Sequence, residues 1–242
     1  MVTITINGRT IQAEAGQTVL QVAQANGIDI PTLCNHEELD PIGACRLCIV
    51  EATPKGRNGP RIVVSCLYPV EEGLGILTDS PRIVENRKMF AELLLARCSE
   101  NQVVKALAAD LGVTRPYFRD EHIEKNDCIL CGLCARVCRQ VVGVSAISLV
   151  NRGITKSAEP PFLEPAPDCI GCGTCYYICP TGAIKMEEKN GIRTLVNWKR
   201  EFKLVKCPVC GQWVNPEIHG FPCVDSEHLS GLQEASNADA SG

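Results

Sequence analysis

Two short stretches, CILCGLCARVCRQ at residues 128–140 and CIGCGTCYYICPT at 169–181, constrain this chain more than any other feature. Each has the form C-x2-C-x2-C-x3-C. Two-residue spacers leave no room for a strand or helix between the first three thiols, so that part of each run must fold as a loop that gathers sulfur. The chain carries 16 cysteines in 242 residues. Its start, MVTITINGRT, has no basic region followed by an apolar stretch and does not read as a secretory signal, so a cytoplasmic location is expected. Thiols stay reduced there, and this many of them argue for metal rather than disulfides. A net charge of −4 and 5% aromatics point to no nucleic acid and no anionic membrane partner. No apolar run approaches the roughly 18 residues of a membrane span, so no membrane insertion is expected. The basic groupings NWKREFK and RIVENRK read as solvated faces.

The repeated spacing is the ligand pattern of bacterial ferredoxins, in which the fourth cysteine of each run serves the other cluster. Three thiolates wrap three corners of one cubane, and the fourth cysteine begins a helix that leads away to the second. On that logic Cys128, Cys131, Cys134 and Cys179 hold one [4Fe–4S] cluster, and Cys169, Cys172, Cys175 and Cys138 hold the other. Gly132, Gly171 and Gly173 suit places where backbone passes close to inorganic sulfide. Structural zinc, which joins two separated C-x2-C knuckles into one tetrahedron, does not suit three successive thiols. Cys179 is followed by Pro180 as the pattern requires; Cys138 is followed instead by Arg139, a cation placed to tune a nearby cluster.

The rest of the chain reads as α+β, in several small units. Residues 1–79 form a β-grasp domain: VTITI, the hairpin dipeptide NG and RTIQAEA, then a helix capped by Thr18 and closed by Gly27, then LCIVEA, RIVVSCL and GILTD as further strands. Residues 80–127 form a helical connector, with SPRIVENRKMFAELLLARC and NQVVKALAADLG as its helices. Residues 128–190 are the two-cubane ferredoxin domain, residues 195–228 a small zinc-knuckle-like tail, and residues 229–242 a disordered C-terminus.

Cys34, Cys45, Cys48 and Cys66 have the spacing C-x10-C-x2-C-x17-C. Three lie in the loop after the first helix and the fourth ends a strand, the layout of a plant-type [2Fe–2S] site with a longer first gap. A zinc site could use the same thiols, but the hairpin–helix–strand context favours iron–sulfur. His36 lacks the second histidine a Rieske centre needs and reads as a polar loop residue.

IPTLCNHEELDPIGACRLCIVE, followed by NRKMFAELLL and the two cysteine runs, resembles the iron–sulfur subunits of complex-I-type enzymes. These include the diaphorase iron–sulfur subunit of bidirectional [NiFe]-hydrogenases and the N-terminal regions of NAD-linked formate dehydrogenases and [FeFe]-hydrogenases. The resemblance covers about residues 1–188. It implies an electron-transfer subunit whose partners are a flavin/NAD(P)-binding subunit and a catalytic oxidoreductase subunit. It also implies a further cluster held by one histidine and three cysteines after the ELLL helix. Here only Cys98 stands there, with no histidine between residues 37 and 121, so that cluster is read as absent. Cys98 reads as a buried apolar thiol.

In the tail, Cys207, Cys210 and Cys223 with His219 or His228 form a set of three thiols and one imidazole suited to zinc. Iron or iron–sulfur, with Cys98 as the fourth thiol, and no metal at all are the other readings. The chain offers no catalytic residue set: no G-x-G-x-x-G follows a strand and no phosphate-binding loop is present, so no flavin or NAD is expected on this chain. The expected function is relay of single electrons through one [2Fe–2S] and two [4Fe–4S] clusters. A free-standing multi-cluster ferredoxin, an iron–sulfur subunit of the succinate dehydrogenase/fumarate reductase type and a zinc-dependent interaction protein are the rivals.

Overall fold

The computed structural model describes residues 1–116, 126–207, 211 and 213–216. Strands β1 (Val2–Ile6) and β2 (Arg9–Ala13) form an antiparallel hairpin. Its turn residues Asn7 and Gly8 both take positive φ, 50° and 80°, as a tight hairpin with right-handed strand twist requires. Helix α1 (Val19–Ala25) begins at a capping box: the Gln21 amide donates to the Thr18 hydroxyl, and the Thr18 amide to the Gln21 side chain. Strands β3 (Ile49–Thr53), β4 (Arg61–Val64) and β5 (Gly75–Leu77) complete a five-stranded sheet in the order β2-β1-β5-β3-β4, with β1 and β5 parallel. This is the expected β-grasp. Inward residues of the strands, among them Ile4, Ile6, Val50 and Ile76, pack with Val19, Leu20 and Val22 of α1 as its core.

The connector holds α2 (Pro81–Arg97) and α3 (Gln102–Asp110). Ser80 accepts from the Ile83 amide and Pro81 opens the helix, as the Ser-Pro signal implies. Asn101 caps α3 through its carbonyl oxygen, while its amide nitrogen donates to Asp127 at 2.9 Å and to the Thr181 carbonyl at 2.8 Å. One side chain therefore starts the second connector helix and anchors it to the cysteine-rich segment.

That segment contains α4 (Leu133–Gln140), a short hairpin of β6 (Ser148–Val150) and β7 (Ser157–Glu159), and α5 (Thr174–Tyr177). The third cysteine of each run, not the fourth, lies at the helix start: Cys134 is in the first turn of α4 and Cys175 in that of α5. Gly132 and Gly173, both left-handed, turn the chain into these helices. Strands β8 (Met186–Lys189), β9 (Ile192–Leu195) and β10 (Arg200–Lys203) follow as an antiparallel meander, and β11 (Val205–Lys206) pairs with β12 (Trp213–Val214).

The meander corrects two expectations. A division between residues 190 and 195 would cut β8 from β9, whereas Leu195, Trp198 and Phe202 share one apolar cluster with Cys134, Cys138 and Cys175. The basic groupings are not purely solvated either. Arg200 donates to the Cys169 carbonyl, and Trp198 and Phe202 of the same grouping are buried. In the other grouping Arg87 is buried on α2, with Nε donating to the Leu47 carbonyl at 2.9 Å and Nη2 to the Ile49 carbonyl at 2.8 Å. Counting charges along a sequence does not reveal a guanidinium whose fork meets two carbonyls.

Arg87 thus ties α2 to the strand that follows the cysteine loop. Arg87→Met is expected to lower the unfolding free energy by about 2 kcal/mol or more, because two buried carbonyls lose a charged donor. Lys88→Met, which removes a largely exposed ion pair with Glu85 at 2.8 Å on the same helix, is expected to change it by less than about 1 kcal/mol. Denaturant titration of both variants checks this; equal effects would mean that the buried contact contributes nothing special.

Candidate iron–sulfur sites

Three sets of four thiols are gathered by the fold. Cys34, Cys45, Cys48 and Cys66 form the first, and it is built as two pairs. The Cys34 and Cys45 thiols face each other, as do those of Cys48 and Cys66. The neighbouring thiol, and then burial, pushes Cys34 and Cys66 up, while the partner thiol lowers Cys45 to about 5 and Cys48 to about 6. Backbone amides also face the sulfurs: Leu33 N lies 3.5 Å from Cys45 Sγ and Cys45 N lies 3.4 Å from Cys34 Sγ. Two pairs of thiols, two per iron, are what a rhombic two-iron centre needs. His36 is exposed in this loop, its Nδ1 accepting from the Glu38 amide at 3.2 Å.

The two runs are interleaved. One cavity is lined by Cys128, Cys131, Cys134 and Cys179. A second is lined by Cys169, Cys172, Cys175 and Cys138. Each takes three thiols from one run and the fourth from the other. The remaining walls carry no charged side chain and no imidazole; Ile129, Leu149 and Ile184 line the first, Val144, Ile147 and Leu195 the second. Among the described residues no three side chains of His, Cys, Asp or Glu converge as a single-ion site. The thiols instead surround a volume.

The chemistry of these cavities suits a polynuclear cationic group with soft acceptors. Burial is the first cause that pushes the thiols up, to about 11 for Cys131 and Cys175 and upward also for Cys128, Cys134, Cys138 and Cys169. Left alone, such thiols stay protonated at neutral pH; a metal charge in the cavity is what would make them thiolates. The loops repeat each other residue by residue. Leu130 and Gly171 hold the same position and the same left-handed φ, 57° and 66°. Gly171 is constrained further, since a Cβ there would meet the Phe202 ring at 2.5 Å.

Several residues at these sites carry no sequence motif. Arg136, inside the first run, is buried; its Nη1 donates to the Asp40 carbonyl at 2.7 Å and its Nη2 to the Cys34 carbonyl at 2.6 Å. The arginine singled out by the sequence, Arg139, is exposed. Arg97 donates to the Cys128 carbonyl at 2.7 Å, Arg193 to Gly171 at 2.9 Å and Asn215 to Ile170 at 2.6 Å. Trp198 Nε1 donates to Cys175 Sγ at 3.3 Å. Arg136 and Arg139 lie within one turn of the same helix, so no spacing rule chose between them. For the meander, the Asn190-Gly191 dipeptide was a readable hairpin signal. In the tail, Cys207 is buried, and Cys210, Cys223, His219 and His228 lie outside the described residues.

Residues 1–81 match the 2Fe-2S iron-sulfur cluster binding domain, and residues 167–185 match the 4Fe-4S binding domain. The solved structure of an NAD+-reducing [NiFe]-hydrogenase in the H2-reduced state contains a chain 31% identical to this one. The match covers 75% of this chain and 86% of that one, with a TM-score of 0.66. The NADP-reducing hydrogenase subunit HndD of Solidesulfovibrio fructosivorans is 34% identical over 217 residues, 78% of this chain. The 75 kDa subunit of the NADH-ubiquinone oxidoreductase of Reclinomonas americana is 28% identical over 206 residues, 76% of this chain. Fold, thiol sets and relatives define an iron–sulfur protein of the multi-cluster kind. The chain belongs to the family of iron–sulfur subunits of complex-I-type NAD(P)-linked oxidoreductases. It spans 36% and 29% of the length of those two curated relatives.

The approach of Phe202 to Gly171 gives a test of the packing. Gly143 also has positive φ, 84°, but nothing lies within 4 Å of a Cβ built there. Gly171→Ala is therefore expected to destabilise the protein by about 1–3 kcal/mol more than Gly143→Ala, the excess being the overlap alone. Thermal denaturation of the two variants measures it.

Proposed function

We propose that this chain relays single electrons through one [2Fe–2S] cluster on Cys34, Cys45, Cys48 and Cys66 and two [4Fe–4S] clusters. Cys128, Cys131, Cys134 and Cys179 hold one of the latter; Cys169, Cys172, Cys175 and Cys138 hold the other. These groups supply one-electron chemistry, and the chain's own residues set their position, solvent exposure and electrostatics.

The observation that carries the relay is the join between the first site and the second. Cys34 and Cys45 belong to an apolar cluster that also contains Leu39, Leu47, Ala91, Leu95, Val104 and Cys131. Cys48 and Cys66 belong to the β-grasp core instead. The [2Fe–2S] site thus straddles two cores, with one thiol pair turned toward the cubane segment. Arg136 closes the join by bonding from α4 to the carbonyl of Cys34 itself. Apolar packing across this join favours electron transfer between the two sites without a bridging centre.

The outer partners in this reading are a flavin/NAD(P)-binding subunit and a catalytic oxidoreductase subunit. The relatives' names, which pair NAD(P) with hydrogenase or ubiquinone oxidoreductase, support that class. A cytoplasmic location fits, and no helix among the described residues is long and apolar enough to cross a membrane. The tail is assigned a structural zinc on Cys207, Cys210 and Cys223 with His219 or His228.

Anaerobically purified protein is expected to hold about ten iron atoms per chain, two from the rhombic centre and four from each cubane, plus one zinc. Cys45→Ser is expected to remove the [2Fe–2S] EPR signal and leave both [4Fe–4S] signals. A count near six would mean that one cubane is misassigned. With less than one reducing equivalent per chain, rapid-freeze EPR should show the electron redistributing among all three centres, and slower redistribution in Arg136→Met at unchanged iron content. Centres that reduce independently would end the relay reading. Purification from the native source separates a subunit, which arrives with stoichiometric partners, from a free carrier.

A further inference from the structure

The two cubane sites are matched in most of their surroundings, which makes their differences informative. In both, an arginine donates to the carbonyl of the first cysteine: Arg97 to Cys128 at 2.7 Å and Arg200 to Cys169 at 3.3 Å. In both, a backbone amide donates to the fourth cysteine's sulfur: Ala183 to Cys179 and Ala146 to Cys138, each at 3.2 Å.

Among the described residues two side-chain donors break the match, and both belong to the second site. Trp198 Nε1 donates to Cys175 Sγ at 3.3 Å, and Thr174 Oγ1 donates to Cys172 Sγ at 3.2 Å. The residue of the first run that corresponds to Thr174 is Leu133, which has no hydrogen to give. No indole stands over the first site; the chain's other tryptophan, Trp213, lies in β12 against Lys206. At the first site the hydroxyl of Thr181 lies at a longer 3.7 Å from Cys179 Sγ, and either atom could be the donor. Trp198 is 3% exposed, so water does not compete for its N–H.

We propose that the site of Cys138, Cys169, Cys172 and Cys175 has the higher reduction potential of the two cubanes, and that Trp198 and Thr174 set the difference. The inference rests on the cluster assignment above. One-electron reduction makes and breaks no bond; it adds one negative charge, shared with the sulfur ligands. A donor aimed at a ligand sulfur stabilises the more negative state, and two such donors on one site raise its potential relative to the other. Electrons therefore settle first on the site beneath the meander.

The test is an EPR-monitored potentiometric titration of the iron-replete protein, with dithionite as reductant, on wild type, Trp198→Phe, Thr174→Val and the double variant. Two cubane midpoints are expected in wild type. Each single substitution should move only the higher midpoint downward, and the double variant should move it further and narrow the gap. Midpoints that stay fixed in iron-replete variants, or movement of the lower midpoint alone, overturn the proposal while leaving the cluster assignment standing. If Trp198→Phe does not assemble its full iron, Thr174→Val, which removes a hydroxyl at nearly constant shape, decides alone. A wild-type protein with fewer than two cubane signals overturns both this proposal and the assignment beneath it.

Discussion

A loop that turns its amides toward a cavity turns carbonyls away from it, and in this protein arginine side chains meet those carbonyls. The inward amides are visible at each site, from Leu33 and Cys45 at the first to Ala146 and Ala183 at the others. The outward carbonyls of Cys34, Leu47, Cys128, Cys169 and Gly171 accept from Arg136, Arg87, Arg97, Arg200 and Arg193. The cysteine loops have little regular secondary structure to satisfy these groups, and a buried carbonyl without a donor costs about 1–3 kcal/mol. Arginine suits the task because its five donors form a rigid fork that stays charged. The same cations that satisfy the loops also place positive charge beside sulfur ligands, so folding and electrostatics are served by the same residues.

This constraint explains the relation between the β-grasp and cubane segments. Arg136 is on the helix that carries Cys134 and Cys138, yet its bonds end on Asp40 and Cys34 of the first cysteine loop. Cys98, the lone thiol of the connector, ends α2 with its amide bonded to the Leu94 carbonyl, and burial raises its thiol to about 11. It shares an apolar cluster with Ala91, Leu95, Val104 and Ala108. Cys98 is thus a buried member of that apolar core.

What could be read from the sequence follows from what each signal encodes. Thr18 with Gln21, Asn7-Gly8 and Ser80-Pro81 are local signals whose partners lie within four residues, and the fold uses each as expected. The spacing within each cysteine run is local too, whereas the interleaving, which brings Cys179 to the first cavity and Cys138 to the second, was legible only through the ferredoxin ligand pattern. Arg136 could not, because its partners lie about a hundred positions away and nothing in RVCRQ distinguishes it from Arg139. The meander was missed for another reason. MEEK, IRTL and REFK bury few of their residues, so little alternation of apolar and polar side chains is present to be read, and their charges resemble an exposed segment. Trp198, between a short 3-10 turn and a basic run, carried no sign of the sulfur it faces.

The meander also shows how a near-symmetric pair of sites becomes unequal. Leu130 and Gly171 share one backbone conformation, but only at Gly171 does an aromatic ring from a later strand fill the space a side chain would take. Glycine there avoids the strain of the left-handed conformation and at the same time admits Phe202. With Phe202 seated, the meander brings Arg193, Trp198 and Arg200 against the same loop. The duplicated cysteine runs set up two equivalent cavities, and added chain on one side, through packing first and hydrogen bonding second, makes them chemically distinct.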